Sequence, residues 1–153
     1  MNNSVDFKHI SMHQVPEQSP GFLLLHISTS WRTSIEKALK EFGLTHPQFV
    51  VLATLAWLTQ NGDRVTQVEI GRTAGLDPNT TSQIVRLLEA KKYIKRVRPD
   101  ERSKNPMLTE LGAKTLKVAL PAVEKVDTSF FTSLEPQELD VLVPLFQKLY
   151  RKR

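Results

Sequence analysis

Two helix-start signals with a glycine between them place the strongest constraint on this fold. Thr66 is followed three residues later by Glu69, the pattern of a capping box in which each side chain satisfies a free backbone N–H of the first turn. Asp77 begins a second helix with Pro78 at its first position, where the missing N–H costs nothing. Gly75 can take the left-handed conformation that ends the first helix. The segment is therefore predicted to form two short helices joined by a tight turn.

The second of these helices has an apolar and a polar side. Its apolar stripe recurs at helical spacing and consists of Ile84, Leu87 and Leu88. Its start and its other side carry hydrogen-bonding side chains, namely Asn79, Thr80, Ser82, Gln83 and Arg86. This is the helix-turn-helix pattern, in which the second helix enters the major groove of DNA.

A basic β-hairpin is predicted directly after these helices. Residues 93–98 alternate as a strand, residues 99–103 have the composition of a turn, and residues 105–109 form the return strand. Between Arg86 and Lys104, eight basic residues stand against three acidic ones, a net charge of +5 that equals the charge of the whole chain. Each phosphate that such a cluster neutralises releases condensed counterions. A winged helix that binds double-stranded DNA is therefore favoured over a solvated hairpin without a partner.

The predicted DNA contacts come from the two helices and the hairpin. The neutral side chains of the second helix are assigned to base edges, because they can form hydrogen bonds with them. A protein that only bends DNA would need mainly Arg and Lys at these positions. Arg86 and the pair Lys91 and Lys92 are assigned to phosphates, and Arg102 to the minor groove. The alternative for Arg102 is a surface ion pair with Asp100 that closes the hairpin. The complete predicted set is Thr66, Asn79, Thr80, Ser82, Gln83, Arg86, Lys91, Lys92, Arg98, Arg102 and Lys104.

The run from Leu44 to Gly112 resembles the MarR family of bacterial transcriptional regulators. LTHPQFVVLATLA is similar to the family's segment before its helix-turn-helix, TQVEIGRTAGLD and TTSQIVRLLEAKKYIKR to that motif, and RPDERSKNPMLTELG to its wing. Gly71 stands where the family usually has Ala, and Gln83 where many members carry Arg. The resemblance implies a homodimer with a small-molecule site, often for phenolic or aromatic acids, where the dimerisation helices meet the winged head.

The chain is predicted to be mainly α (α+β), with a winged helix-turn-helix domain over residues 45–109. Residues 1–20 are polar and are predicted to form a mobile arm. Residues 21–44 and 110–153 are predicted to form a helical dimerisation region. They carry more large apolar side chains than the winged helix-turn-helix domain can cover, and exposing several of these to water would be unfavourable. An isologous two-fold dimer is favoured, and packing of both ends within one chain is the alternative.

Individual helices before and after the helix-turn-helix motif are also predicted. An amphipathic helix is expected from about Phe22 to Phe42, and a second over residues 45–58, which are apolar nearly all round and must therefore be buried at the centre. Pro121 and Pro144 interrupt the last two helices and are expected to bend or break them.

Composition excludes several other classes of protein. A chain of 153 residues with 40% apolar and 24% charged residues is typical of one globular domain. With no cysteine and four scattered histidines, neither a metal nor another cofactor is expected. No catalytic motif is present, so an enzyme is not expected. The absence of a signal peptide and of an apolar run of roughly 20 residues predicts a cytoplasmic protein without a membrane partner.

An effector site is predicted from the first two long helices. His26, Ser30, Trp31, Thr54 and Trp57 combine apolar walls with a few polar groups, as ligand pockets require; the alternative is that both tryptophans are ordinary core. The motifs and the basic segment predict a dimeric, sequence-specific transcriptional regulator that binds a pseudo-palindromic operator. The family resemblance further implies a repressor that a small aromatic or phenolic ligand releases from DNA. The competing function is a winged-helix module that binds protein or bends DNA without sequence choice.

Overall fold

The computed structural model describes residues 4–100 and 103–151, with the backbone alone at 98–100, 103 and 104. The described chain is mainly α-helical with one antiparallel hairpin, as predicted. Its elements in order are α1 (Phe7–Ile10), α2 (Pro20–Leu39), α3 (His46–Thr59), α4 (Gln67–Ala74), α5 (Pro78–Ala90), β1 (Ile94–Asp100), β2 (Ser103–Leu108), α6 (Glu110–Phe130) and α7 (Pro136–Tyr150), with single 3₁₀ turns at Pro16–Gln18 and Lys40–Phe42.

Capping residues determine where the helices begin. The predicted helix starts at Thr66 and Asp77 are confirmed, and Thr45 and Thr109 begin α3 and α6 in the same way. In each of the four, the side-chain oxygen accepts a hydrogen bond from the backbone N–H three residues later. The first long helix begins slightly earlier than predicted, because Ser19 caps it and Pro20 occupies its first position. The α-helix ends at Leu39, three residues earlier than predicted, and the 3₁₀ turn Lys40–Phe42 continues it to Gly43, which takes a left-handed conformation with a φ of 63°.

The two internal prolines do not break their helices. α6 runs without interruption through Pro121, and α7 runs through Pro144, so neither helix breaks at its proline, and a bend at these positions stays a prediction. Pro121 removes one N–H from the helix and leaves the carbonyl of Lys117 without its usual partner. Pro121 and Lys117 are both exposed, so a water molecule can donate a hydrogen bond to the carbonyl of Lys117.

The central helix of the fold is α3, as its apolar sequence predicts. It packs against α2, α4, α5, α6 and β2. The core around it is filled by buried residues from five other elements: Ile35 and Leu39 of α2, Ile70 of α4, Val85 and Leu88 of α5, Ile94 of β1, and Leu116 and Ala119 of α6. The helices that flank the winged helix therefore share one hydrophobic core with it.

Both ends of the chain carry apolar surface outside this core. No residue of α7 is buried, and this helix has little contact with the rest of the described chain. Val141 and Leu149 are each 62% exposed, and Leu24 and Leu25 on α2 are similarly exposed. Packing of both ends within a single chain, the alternative considered above, therefore does not occur for α7.

Candidate nucleic-acid interface

Side-chain hydrogen bonds fix the start of α4 and the start of α5. The carboxylate of Glu69 accepts from the backbone N–H of Thr66 at 2.7 Å and from its hydroxyl at 2.8 Å, and these bonds lower the pKa of Glu69. The hydroxyl and backbone N–H of Thr80 both donate to Asp77, and they lower the pKa of that carboxyl. Gly75 joins the helices with a φ of 68°. Gly75 and the bonds to Asp77 fix the course of the backbone into α5.

A close approach of α4 and α5 explains the glycine at position 71. A Cβ added to Gly71 would lie 2.6 Å from Oγ1 of Thr81, which is too close for an unchanged structure. Thr81 is buried, and its hydroxyl donates to the carbonyl of Asp77 at 2.8 Å. A larger side chain at position 71 would therefore separate the two helices.

The outer side of α5 presents a line of polar side chains. Asn79, Gln83 and Arg86 are exposed and recur at helical spacing, so they share one face. Ser82 is half-buried, and the half-buried Thr80 donates its hydroxyl to Asp77 at 2.5 Å. The most accessible part of the predicted reading surface therefore combines two neutral amides with one guanidinium group.

The wing, defined here as β1 and β2, is anchored on one face and solvated on the other. Ile94 pairs with Leu108 across the hairpin and is 2% exposed, whereas Lys95 on the next position faces solvent. Arg96 returns to the inner face, where its Nε lies 2.9 Å from the carboxylate of Glu89 on α5 without the alignment of a hydrogen bond. The predicted site omitted Lys95, although strand alternation with the buried Ile94 could have indicated its exposure.

The structure separates the two lysines that the sequence analysis treated as a pair. Lys91 is the C-cap of α5, and its ammonium group donates to the carbonyl of Gly43 at 2.6 Å and to Oε1 of Gln48 at 2.9 Å. Lys92 is exposed and takes a left-handed backbone conformation with a φ of 60°. The ammonium group of Lys91 is thus bonded to acceptors of its own chain, whereas Lys92 and Arg86, the other two residues assigned to phosphates, are exposed.

The remaining predicted contacts lie at the start of α4 and around the tip of the wing. Thr66 is exposed, but its hydroxyl already bonds to Glu69. Arg102 lies outside the described residues, and Arg98 and Lys104 are described only by their backbone. Their assignment to DNA therefore stays a prediction.

None of the five predicted effector-lining residues lines any of four cavities that lie between described residues. Trp31 is half-buried and donates its Nε1–H to Asp127 at 2.8 Å, while its ring meets that of His46 edge-on at 5.2 Å. Partial burial, followed by the charge of Arg32, lowers the pKa of His46. Trp31 therefore ties α2 to α3 and α6 and is partly buried against the core.

The other four members of this set are spread over two helices. His26 is exposed and packs against the ring of Phe22 at 4.3 Å. Ser30 is exposed, Thr54 is half-buried, and Trp57 is 66% exposed on α3. Within one chain, these side chains do not form an enclosed site.

Two further kinds of site are absent from residues 4–100 and 103–151. No three metal-ligating side chains come together there. None of the helices in these ranges has both the length and the apolar character needed to cross a bilayer.

Known proteins match this chain over the helix-turn-helix and beyond it. The MarR family model matches residues 42–103. An uncharacterized HTH-type transcriptional regulator of Bacillus subtilis, YdcH, is 40% identical over 131 residues, which cover 80% of this chain and 85% of the relative.

Solved structures agree with this assignment. Bordetella bronchiseptica BpsR, whose DNA binding is regulated by 6-hydroxynicotinic acid, has a TM-score of 0.80 at 23% identity and covers 91% of this chain and 99% of its own. The MarR family protein Rv2887 of Mycobacterium tuberculosis, solved in complex with DNA, has a TM-score of 0.67 at 25% identity. The match covers 86% of this chain and 97% of Rv2887. The same protein has also been solved with salicylic acid, at 26% identity. The chain belongs to the MarR family of winged helix-turn-helix transcriptional regulators.

Proposed function

We propose that this regulator binds a pseudo-palindromic operator as a homodimer and acts as a repressor. One α5 would enter each of two major grooves about one helical turn apart. The observation that carries this proposal is the exposed line of Asn79, Gln83 and Arg86 on α5, next to Lys92 and Lys95 at the base of the wing. Amide side chains recognise base edges, and cations neutralise phosphates, so one surface provides both functions.

A second copy of the chain is the proposed occupant of the apolar terminal surface. α7 forms an open groove of about 430 Å³, lined by apolar residues that include Leu134, Val141, Leu142 and Leu145. Burial of each large side chain contributes roughly 1.5–3 kcal/mol, which a monomer forgoes along this helix. An isologous contact would cover the same groove twice, once on each subunit.

Gln83→Ala is expected to change which DNA sequences are preferred while leaving the salt dependence of binding unchanged, because a neutral side chain releases no counterions. The matched variant Arg86→Gln should weaken binding to all duplexes and reduce the salt slope by about 0.9. The measurement is a titration of fluorescent duplexes, selected and random, at several salt concentrations. Equal affinity of the unmodified protein for selected and random duplexes would favour a winged-helix module that binds DNA without sequence choice. An equal loss of affinity for all duplexes in Gln83→Ala would assign Gln83 to contacts with the DNA backbone.

A small aromatic acid is the proposed effector, and its binding would release DNA. The support is that Rv2887 binds salicylic acid and that 6-hydroxynicotinic acid regulates BpsR. In this chain His26 and Trp57 are exposed, so a second subunit would complete the site. Salicylate titrated into the protein should change the tryptophan fluorescence. Because coupling between two sites is reciprocal, bound operator should lower the affinity for salicylate by the same factor as bound salicylate lowers the affinity for the operator. Lack of any fluorescence response at millimolar salicylate would contradict this assignment.

A further inference from the structure

Lys91 joins two parts of the fold that are distant in sequence. Its ammonium group, at the end of α5, donates to Gly43 in the turn after α2 and to Gln48 in the first turn of α3. Gln48 is only 6% exposed, and its Oε1 also accepts from the backbone N–H of Thr45 at 3.3 Å. Two of the three donors of the ammonium group are thus used by acceptors held in well-defined positions.

The Gly43 and Gln48 acceptors lie beside the end of the helix that leads to the proposed dimer contact. The 3₁₀ turn Lys40–Phe42 follows α2 directly, and the left-handed Gly43 orients the carbonyl that Lys91 contacts. The opposite half of α2 exposes Leu24 and Leu25. A change in the direction of α2 would therefore move the Gly43 carbonyl relative to Lys91.

On the other side of the contact, Lys91 lies where α5 passes into the wing. Its backbone N–H closes the last turn of α5 on Leu87 at 3.0 Å. Lys92 then reverses the chain, and Tyr93 bonds back to Leu88 at 2.9 Å before β1 begins. A constraint on Lys91 therefore acts on the reading helix and on the base of the wing together.

We propose that Lys91 is a positioning residue that locks α5 to the turn between α2 and α3, and so sets the distance between the two reading helices of the dimer. This role rests on the proposed function, because it requires two half-sites. It also replaces the phosphate contact expected from sequence: an ammonium group already bonded to two oxygens of its own chain would have to release them to reach DNA. The lock transmits a change in the dimerisation helices to the DNA-binding surface.

Lys91→Met removes the donors and keeps the length of the side chain. The probes are a palindromic duplex selected by the unmodified protein from random DNA, and derivatives with one base pair inserted or deleted between the half-sites. The variant should bind the selected duplex about fivefold more weakly. Its affinity ratio between the correct and altered spacings should fall, and its salt slope should not change. Gln48→Met removes one of the two acceptors and leaves the bond to Gly43, so it should lower the spacing discrimination in the same direction but by less. The double variant should add little to Lys91→Met, which already breaks the contact with Gln48.

Lys92→Met is the matched control, since it removes the neighbouring charge without touching the lock. It should reduce the salt slope by about 0.9 and preserve discrimination between spacings. Gln48→Glu keeps an acceptor opposite the ammonium group and a favourable residue in the capping box, so it should retain that discrimination even if either Met variant is too unstable to measure. Thermal unfolding of every variant separates stability from spacing preference.

Several outcomes would overturn the positioning role. A lower salt slope for Lys91→Met with unchanged spacing discrimination would make Lys91 a phosphate contact, and loss of discrimination in Gln48→Glu would exclude the lock. If the unmodified protein itself does not distinguish the spacings, the dimeric operator proposal fails together with the lock. If it distinguishes them and Lys91→Met does so equally well, only the lock fails.

Discussion

Gly112→Ala is expected to destabilise the protein by about 3 kcal/mol and to lower its melting temperature by about 10 °C. Gly112 is buried in the first turn of α6, and a Cβ there would overlap with the carbonyl group of Tyr93. The obstacle consists of backbone atoms, so no side-chain rotation can relieve the overlap. Thermal unfolding followed by circular dichroism measures the effect.

The same overlap should also disturb the base of the wing. The carbonyl of Tyr93 accepts from the backbone N–H of Thr109 at 3.0 Å, and the hydroxyl of Thr109 donates to the neighbouring carbonyl of Lys92 at 2.6 Å. The N–H of Gly112 donates to that hydroxyl at 3.0 Å. Any shift that accommodates the new methyl group breaks part of this joint between β1 and α6. DNA affinity should therefore fall even below the melting temperature.

Gly21→Ala is the matched control for this experiment. Gly21 also lies in the first turn of a helix, but its nearest obstacle is Oγ of Ser19 at 3.9 Å. Alanine is favoured over glycine in helices by up to about 1 kcal/mol, so this variant should be as stable as the original protein or slightly more stable. A melting temperature for Gly112→Ala within the error of the original would contradict the predicted overlap.

Local hydrogen bonding explains why so much of the helix-turn-helix could be predicted. Thr66 and Glu69 are three residues apart, and the side chain of each accepts a hydrogen bond from the backbone N–H of the other. Asp77 with Pro78 and the left-handed Gly75 act over similarly short distances. Such signals depend on no distant partner, and the sequence alone therefore located both helices and the turn between them.

Contacts between distant residues could not be predicted in the same way. Lys91 and Lys92 are adjacent and chemically identical, and only the fold brings Gly43 and Gln48 to the first of them. Arg96 counted toward the basic charge of the segment, yet it faces Glu89 on α5. A charge count measures how much positive charge a segment carries and does not show which cations remain available to DNA.

The glycine at position 71 illustrates a third case. Its departure from the family pattern was visible in sequence, but its cause was not. Gly71 leaves room for the buried Thr81 on the neighbouring helix. The two positions lie on different helices, so one sequence by itself does not show that they are in contact.

Val141→Glu is expected to convert the proposed dimer into a monomer and to reduce affinity for the full operator by at least about a hundredfold, because two linked half-sites gain roughly 10²–10⁴ from effective concentration. Val141 is largely exposed in the single chain and lines the apolar groove of α7. The new carboxylate therefore costs little in a monomer, but an apolar interface would leave it buried without a partner. Light scattering gives the assembly state, and titration of the palindromic duplex gives the affinity.

Affinity for a duplex with a single half-site separates loss of assembly from loss of fold. The interface and α5 are different surfaces, so Val141→Glu should bind the half-site as well as the original protein does. Gln147→Glu adds the same charge to α7 at an exposed position that shares a helical side with Asp140 and Arg151, and this variant should remain dimeric. A dimeric Val141→Glu protein would exclude the α7 groove from the interface and leave the exposed half of α2 as the surface that joins the subunits.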